Sequence, residues 1–312
     1  MKNPSVLYFT LFVAVAGFTA CSSTDDDLNQ DNQQCLLSVS AIKIGGEIDN
    51  IDVDTSEVDT RSLFIGGQTG LRFGKIWDDY DIAQVYYQGN SVGTLKPDET
   101  GQIYTTLSGQ LSGSFSPGDE LKIYLPSPDL DYEGQDGTIG NMSKYFDFME
   151  TTATIASVNG STITTSPLTF ESKQAYLLLR PKTEDGKFLR VKKLIFTAEN
   201  NTIVLKRNAS GTTYTNSLVI NTQKISSSED YPTEIYIAIL NESGKVNYTF
   251  TVEATDGKTY VSKSVWNKQF NIGKFTNANR TVVCTTVDVE MSTGITPPVS
   301  DDADVDVQDI VL

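Results

Sequence analysis

The chain has 312 residues, of which 40 are acidic and 24 basic, and its formal net charge is −16. This balance argues against a nucleic-acid partner, because phosphate binding needs a positive surface. The absence of histidine excludes histidine-based catalytic relays and the commonest ligands of catalytic zinc. Three cysteines do not make a disulfide framework in a chain of this length. Cys35 and Cys284 could pair in an oxidising compartment or pack as small apolar side chains.

Residues 1–20 predict an export signal peptide. Lys2 precedes an apolar run over residues 6–15, and small residues lead up to Cys21. The run is too short for a permanent membrane span. The sequence GFTAC resembles a lipobox in which Phe18 stands at the usual leucine position, and cleavage there would leave Cys21 as a lipid-bearing N-terminus. An ordinary secretory signal followed by an incidental cysteine is the alternative.

Negative charge is concentrated near the two ends of the exported chain. Residues 21–61 hold ten acids against Lys43 and Arg61, whereas residues 291–312 hold five acids and no base. Residues 21–35 are predicted to be a lipidated acidic tether, because they offer little to bury. Arg61 follows a long acidic stretch. Arg61 either offsets the local negative charge or is an exposed recognition site for a partner.

Short alternating runs of apolar and polar residues between these ends predict an all-β protein. The predicted strands are 36–44, 82–88, 91–95, 102–111, 120–125, 153–158, 162–170, 175–180, 189–198, 202–205, 217–220, 234–240, 247–254, 259–265 and 280–290. These are too many for one ordinary sandwich. We therefore expect two tandem β-sandwich domains, at residues 36–172 and 173–290, followed by an acidic tail at 291–312. Two-residue turns are predicted at Gly89-Asn90 and Asp256-Gly257.

Residues 132–149 interrupt the strand pattern. A short helix in the first domain is predicted from four residues at helical spacing: Met142, Tyr145, Phe146 and Met149. Just upstream, acids alternate from Asp129 to Asp136 as at the start of a calcium loop. The twelfth position, which needs a bidentate glutamate, is Gly140. A solvated turn is therefore favoured, and no metal site is predicted.

The sequence predicts neither a catalytic site nor a cofactor. Asp78 and Asp79 beside Trp77 are the best local candidate for a carboxylate pair that hydrolyses glycosides. A loop that enters the strand at Ile82, with Trp77 as a lid over the core, is the favoured interpretation. Tyr86 and Tyr87 must point to opposite faces of their strand, and a single outward tyrosine is weak evidence for sugar binding.

Several stretches together resemble the fimbrillin family, the pilin subunits of type V pili in Bacteroidota. The most specific is YEGQDGTIGNMSKYFDFM at 132–149, which is similar to the family's Y-x-G-x-D-G-T loop and aromatic helix. Supporting stretches are FSPGDELKIYLP (115–126), KFLRVKKLIFTA (187–198), EIYIAIL (234–240) and FTVEATDGKTYVSKS (250–264). The run SSTDDD after Cys21 resembles the tether of surface lipoproteins from the same phylum. The resemblance implies two transthyretin-like β-sandwiches and a lipoprotein precursor without enzymatic activity.

The resemblance also implies a route to assembly. An arginine-specific protease would cut between Arg61 and Ser62, and the first strand would then leave a groove that a strand of the neighbouring subunit fills. The implied displaced strand comprises Leu36, Leu37, Val39, Ala41, Ile42 and Ile44. The alternating tail at 303–312 offers a donor-strand candidate with Val305, Val307, Ile310 and Leu312. A disordered acidic tail is the alternative.

The sequence thus predicts a fimbrial subunit precursor that contributes to cell adhesion. Its expected partners are other fimbrial subunits in a homo- or heteropolymer, the outer membrane through lipid on Cys21 before cleavage, and a host protein or glycan. Its expected location is the outer-membrane surface, and the fimbrium after processing. The alternative function is a permanently anchored surface lipoprotein, or a pilus tip adhesin, that binds glycan or host protein.

Overall fold

The computed structural model describes residues 33–44, 48–49, 75–222, 225 and 233–287. This part of the chain is strand-rich and contains one short helix, which confirms the predicted all-β class. None of its helices is both long enough and apolar enough to cross a membrane.

The strands and the helix follow one another in this order along the chain: β1 (Gln34–Lys43), β2 (Ile48–Asp49), β3 (Ala83–Tyr87), β4 (Asn90–Pro97), β5 (Tyr104–Ser112), β6 (Glu120–Leu125), β7 (Leu130–Asp131), α1 (Ile139–Tyr145), β8 (Met149–Asn159), β9 (Thr162–Thr165), β10 (Leu168–Ser172), β11 (Ala175–Thr183), β12 (Val191–Ala198), β13 (Ile203–Asn208), β14 (Gly211–Thr215), β15 (Ser217–Ile220), β16 (Ile235–Ile239), β17 (Val246–Ala254), β18 (Thr259–Ser262), β19 (Trp266–Lys268) and β20 (Phe275–Val287).

The first sheet closes on itself. Its strands run in the order β10-β1-β5-β4-β3-β6-β8-β9, and further pairings join β10 to β8 and β1 to β9. Both β9 and β10 therefore lie between β8 and β1. Closure removes the free edges that an open sheet would present to other chains. Its core contains Trp77, which packs edge-on against Phe170 with 5.5 Å between ring centroids. This confirms the interpretation of Trp77 as a core lid.

The second sheet runs in the order β15-β12-β17-β18-β20-β11-β16, with β19 paired to β17 and β2 paired to β20. A smaller sheet, β14-β13-β7, lies beside it. The last strand of the first sheet ends at Ser172, and, apart from β2, the strands of the second sheet begin at Ala175. Cys35 and Cys284 are free thiols buried in different cores.

Residues 130–148 precede the end of the first sheet in the chain, yet their buried side chains pack into the core of the second sheet. Tyr132, Met142, Phe146 and Phe148 all belong to that core. The helix was predicted within the first domain; it forms at the predicted place in the chain but packs against β16 of the second sheet. Met149 was predicted on the helix, but it begins β8 and lies in the first core.

Some predicted boundaries are wrong. Tyr87 pairs with Asn90, so the turn consists of Gln88 and Gly89, both with positive φ, and not of Gly89-Asn90. The second hairpin has a longer loop than predicted, because the amide of Ala254 donates to the carbonyl of Lys258. The predicted strand at 162–170 is divided into β9 and β10, and the short strands β14 and β19 were missed.

Candidate functional site: the first strand and its groove

Strand β1 lies in the middle of the closed sheet, with partners along both of its edges. On one side it runs antiparallel to β5, from Gln34 opposite Ser112 to Ile42 opposite Tyr104. On the other side it runs parallel to β9 and then to β10. Without β1, both β5 and the β9–β10 edge would lose their partner. The resulting groove would be about 33 Å long, at the usual rise of a strand.

The side chains of β1 alternate between the core and solvent. Cys35, Leu37, Val39 and Ala41 point inward and are between 0% and 6% exposed. Leu37, Val39 and Ala41 are three of the six residues named for the proposed displaced strand, and they lie on its buried face.

Of the other three named residues, Leu36 and Ile42 lie on the outer face of β1, and Ile44 lies just beyond it. Leu36 and Ile44 are 39% and 44% exposed, and Ile42 is half-buried. Ile44 follows the last strand residue, although its amide still donates to Phe170 O at 3.0 Å. Cys35 and Lys43 also point inward, although neither was among the residues named for the displaced strand. Strict period-2 counting from Leu37 could have found both.

Lys43 ends the inward row of β1 in a buried polar contact. Its ammonium group forms an ion pair with Asp81, and both side chains are nearly inaccessible to solvent. It also donates to Ile76 O at 3.2 Å and lies 4.7 Å from the centre of the Trp77 ring. Burial raises the pKa of Asp81 above its ordinary value, whereas Lys43 acts in the opposite direction. The pair therefore joins this end of β1 to residues 76–81.

A second buried lysine lies where the described chain resumes after residue 49. Lys75 forms an ion pair with Asp147 and donates to Ser172 Oγ at 2.9 Å. Burial lowers the pKa of Lys75 below its ordinary value, while Asp147 opposes that shift. The chain is thus held by a buried lysine immediately before residue 44 and by another at residue 75.

The N-terminal segment contacts both large sheets. After β1 leaves the first sheet, β2 pairs in parallel with the start of β20 in the second, with Ile48 opposite Phe275. The predicted processing residues Arg61 and Ser62 lie outside the described residues. So do the predicted lipidation site Cys21 and the donor candidates Val305, Val307, Ile310 and Leu312.

The acidic side chains of the loop before the helix form ion pairs and hydrogen bonds within the fold. Asp131 and Glu133 lie 3.1 Å and 2.7 Å from Lys206 Nζ. Asp136 accepts from the amide of Thr138 at 2.9 Å, and Thr138 in turn caps the helix. Within the described ranges, no group of three or more acidic or cysteine side chains is arranged to hold a metal ion.

The same loop joins the two edge strands of the second sheet. The amide of Asn221, just after β15, donates to Gln135 O at 3.2 Å. The side chain of Gln135 accepts from the amide of Ala238 in β16 at 2.8 Å and donates to its carbonyl at 2.9 Å. Gln135 therefore supplies the hydrogen bonds that a neighbouring strand would give to β16. Residues 135–137, within the YEGQDGT stretch, therefore form an edge cover, which here means a loop that pairs with the free edge of β16.

The remaining candidates form no reactive cluster. Asp79 is exposed and Asp78 half-buried, and they are joined by a 2.8 Å hydrogen bond from the amide of Asp79 to the carboxylate of Asp78. Tyr86 packs edge-on against Tyr124, and Tyr87 donates to Asp119 at 2.8 Å. Both tyrosines are half-buried in these contacts. They do not form an exposed aromatic platform.

Comparisons with known proteins find similar folds at low identity. No protein-family model matches the chain, and no curated protein does so either. A candidate cell adhesion protein from Bacteroides ovatus is 14% identical, with a TM-score of 0.44, over 81% of this chain and 95% of that one. One from Bacteroides uniformis is 13% identical, with a TM-score of 0.40, over 80% and 98%. A fimbrial assembly protein from Parabacteroides distasonis is 9% identical, with a TM-score of 0.35, over 78% and 90%. At this level of similarity, the three structures identify neither a family nor a function for this chain.

Proposed function

We propose that the protein is a non-enzymatic, surface-exposed fimbrial subunit precursor that assembles by exchange of its first strand. The supporting observation is the position of β1: it completes a closed sheet, but it is joined to the rest of that sheet only through the stretch that contains Arg61. A cut after Arg61 would therefore leave β1 held by non-covalent contacts alone. It would also separate the remaining chain from the proposed lipid on Cys21.

Strand exchange follows from the chemistry of the groove. Loss of β1 exposes the backbone donors and acceptors of β5 and of the β9–β10 edge, together with the pockets of five inward side chains. Unpaired strand edges bind other extended segments readily. A strand from the neighbouring subunit would restore the hydrogen bonds and fill the same alternate positions. The tail residues Val305, Val307, Ile310 and Leu312 are one candidate donor.

Domain organisation belongs to the same proposal. A boundary between residues 172 and 173 agrees with the gap between β10 and β11. The loop and helix of residues 130–148 would then belong to the second core, although they precede that boundary. After a cut at Arg61, departure of β1 would open the first sheet and would also take β2 away from β20 in the second.

Limited proteolysis of residues 22–312 tests this function. We expect an arginine-specific protease to make one early cut after Arg61, seen by intact mass. Once a donor subunit is supplied, filaments should follow in electron micrographs. Arg61→Ala should resist that cut and stay monomeric. Cys35 reports on the strand itself, because its thiol is 1% exposed and should react with a thiol reagent only when β1 leaves. Cys284 stays in the second core and provides the internal control.

A cut chain that stays monomeric and keeps Cys35 protected would contradict strand exchange. The alternative would then be favoured, a permanently anchored surface lipoprotein or a pilus tip adhesin that binds glycan or host protein.

A further inference from the structure

The groove of β1 ends at a buried acid. The inward row runs Cys35, Leu37, Val39 and Ala41, and its last member is Lys43, which is only 5% exposed. A lysine at a strand end would ordinarily reach solvent. Here it is held inside the sheet by a carboxylate, a carbonyl and an aromatic ring. Any strand that replaces β1 must meet these same groups.

The groups that hold Lys43 all lie on the part of the chain that would remain after a cut at Arg61. Asp81 supplies the carboxylate, Ile76 the carbonyl oxygen and Trp77 the ring face. Asp81 is fixed in turn by the amide of Asp78, which donates to its Oδ2 at 2.7 Å. The site for a cation is therefore built from residues 76–81, which all lie outside β1.

The surroundings offer Asp81 little replacement for Lys43. Lys75 is near enough to interact with it electrostatically, but Lys75 is already paired with Asp147. When β1 leaves and takes Lys43 with it, the buried carboxylates of Asp81 and Asp147 would have only Lys75 as a nearby cation. An apolar side chain in the place of Lys43 would leave Asp81 buried without a full partner, which is strongly unfavourable. The groove should therefore discriminate among incoming strands by charge.

Resting on the proposed strand exchange, we propose that this groove selects a donor strand that carries Lys or Arg at the position nearest Asp81, with small or aliphatic residues at the alternate inward positions. The partner of matching chemistry is an extended, basic-ended segment of a different subunit. Residues 288–312 of this chain contain no Lys or Arg, and 303–312 contain three Asp. The tail of a second copy therefore lacks the group that the site binds.

Peptide exchange on the full chain tests the proposal. Residues 22–312 are cut between residues 50 and 74, at Arg61 or at a protease site inserted beside it, and a fluorescent peptide of residues 34–44 is added. Binding is followed by fluorescence anisotropy. The series contains the native peptide, Lys43→Arg, Lys43→Met, and a matched peptide with Lys43→Met and Ser40→Lys. Ser40 is exposed, so the last peptide keeps the net charge but presents it to solvent.

We expect Lys43→Met and the matched peptide to bind more weakly than the native peptide, on the order of 100-fold. Lys43→Arg should bind within about tenfold, and a peptide of residues 303–312 should bind no better than Lys43→Met. In an Asp81→Asn chain the preference for lysine should disappear.

Failure of the inference and failure of strand exchange give different results. If the native and Lys43→Met peptides bind within about threefold of each other, charge selection is overturned although strand exchange stands. Tight binding of the 303–312 peptide would also overturn it. If the native peptide does not enter the cut chain at all, strand exchange itself is wrong, and the inference falls with it.

Discussion

The ammonium group of Lys75 lies 2.6 Å from the hydroxyl of Tyr176, and this contact joins the chain that enters the first sheet to β11 of the second. The Tyr176 hydroxyl also donates to Asp147 at 2.5 Å. Burial, reinforced by Asp147, raises the pKa of Tyr176 well above its ordinary value, so the hydroxyl keeps its proton. A buried polar network therefore ties the two sheets together beside residue 75.

Replacing Lys75 should destabilise the fold strongly. Lys75→Met leaves Asp147 without its closest cation, and loss of one partner of a buried pair costs about 3–5 kcal/mol of unfolding free energy. The matched control is Lys173→Met, because Lys173 pairs with Glu150 while both side chains are more than one-third exposed. That change should cost less than about 1 kcal/mol. Urea denaturation of residues 22–312 measures both, and equal losses would contradict a structural role for the buried network.

The edge cover at residues 135–137 leads to a second prediction. Gly137 has a φ of +76°, and an added Cβ would lie 3.0 Å from Ile235 and 3.2 Å from both Ile220 and Ile225. Gly134 has a similar φ of +80°, but an added Cβ there would meet nothing within 4 Å. Both alanine variants carry the same backbone strain, of about 1 kcal/mol.

Gly137→Ala should therefore lose a further 1–3 kcal/mol, roughly the cost of overpacking a core. The difference between Gly137→Ala and Gly134→Ala in thermal or urea unfolding isolates this contact, since the backbone contribution cancels. If the two variants unfold alike, the loop does not press on the second core as tightly as the structure indicates.

The alternation of β1 could be predicted from the sequence, whereas the role of its last residue could not. Leu37, Val39 and Ala41 follow the period of a strand with one buried face. Lys43 continues that period, but a lysine at a strand end is ordinarily exposed. Its burial depends on Asp81, which is 38 residues away in sequence. Local patterns do not report such pairings.

The second core shows a related limit. The aromatic residues before β8 could be recognised as a short helix from their spacing. The core into which each residue packs could not be predicted, because Met142 and Met149 lie in different cores although they are only seven residues apart. Gln135 reads as an ordinary polar loop residue, yet it pairs with Ala238 in β16, 103 residues along the chain. Tertiary hydrogen bonds of this range override local propensity.

Alkaline pH should weaken the second core through Cys284. Burial raises the pKa of this thiol from its ordinary value of 9.0 to about 12. Below pH 9 the folded and unfolded chains both hold the proton, so the contribution to stability is fully present. As the pH rises toward 12, the unfolded chain ionises first and the unfolding free energy falls.

Cys284→Ala removes this titration, so its unfolding free energy should fall less steeply than that of the parent chain between pH 9 and pH 12. Burial, and then its hydrogen bond to Asp256, raises the pKa of Tyr260 to about 12 as well. Some pH dependence should therefore persist in the variant. Urea unfolding at a series of pH values gives both slopes. Identical slopes would show that the thiol does not titrate differently in the folded and unfolded chains.

The two faces of β1 should differ in their effect on strand release. Leu37 is fully buried against the first core, whereas its neighbour Leu36 is 39% exposed on the outer face. Leu37→Ala removes a buried side chain and should cost about 2–5 kcal/mol. Leu36→Ala should lower the unfolding free energy by at most about 1 kcal/mol, because the outward side chain gains less from burial.

In the chain cut after Arg61, the same difference should appear as a rate. Leu37→Ala weakens the contact between the groove and β1, and loss of this contact acts mainly on the rate of release. Cys35 should therefore react with a thiol reagent at least tenfold faster than in the cut parent chain. Leu36→Ala should react within about threefold of the parent, since its contacts lie outside the core. Uncut chains carrying either change should keep Cys35 protected, because a tethered β1 returns to its groove before the reagent arrives. Equal rates for both cut variants would mean that the inward row does not hold the strand, and the backbone ladder with β5 and β10 would then be the main barrier to exchange.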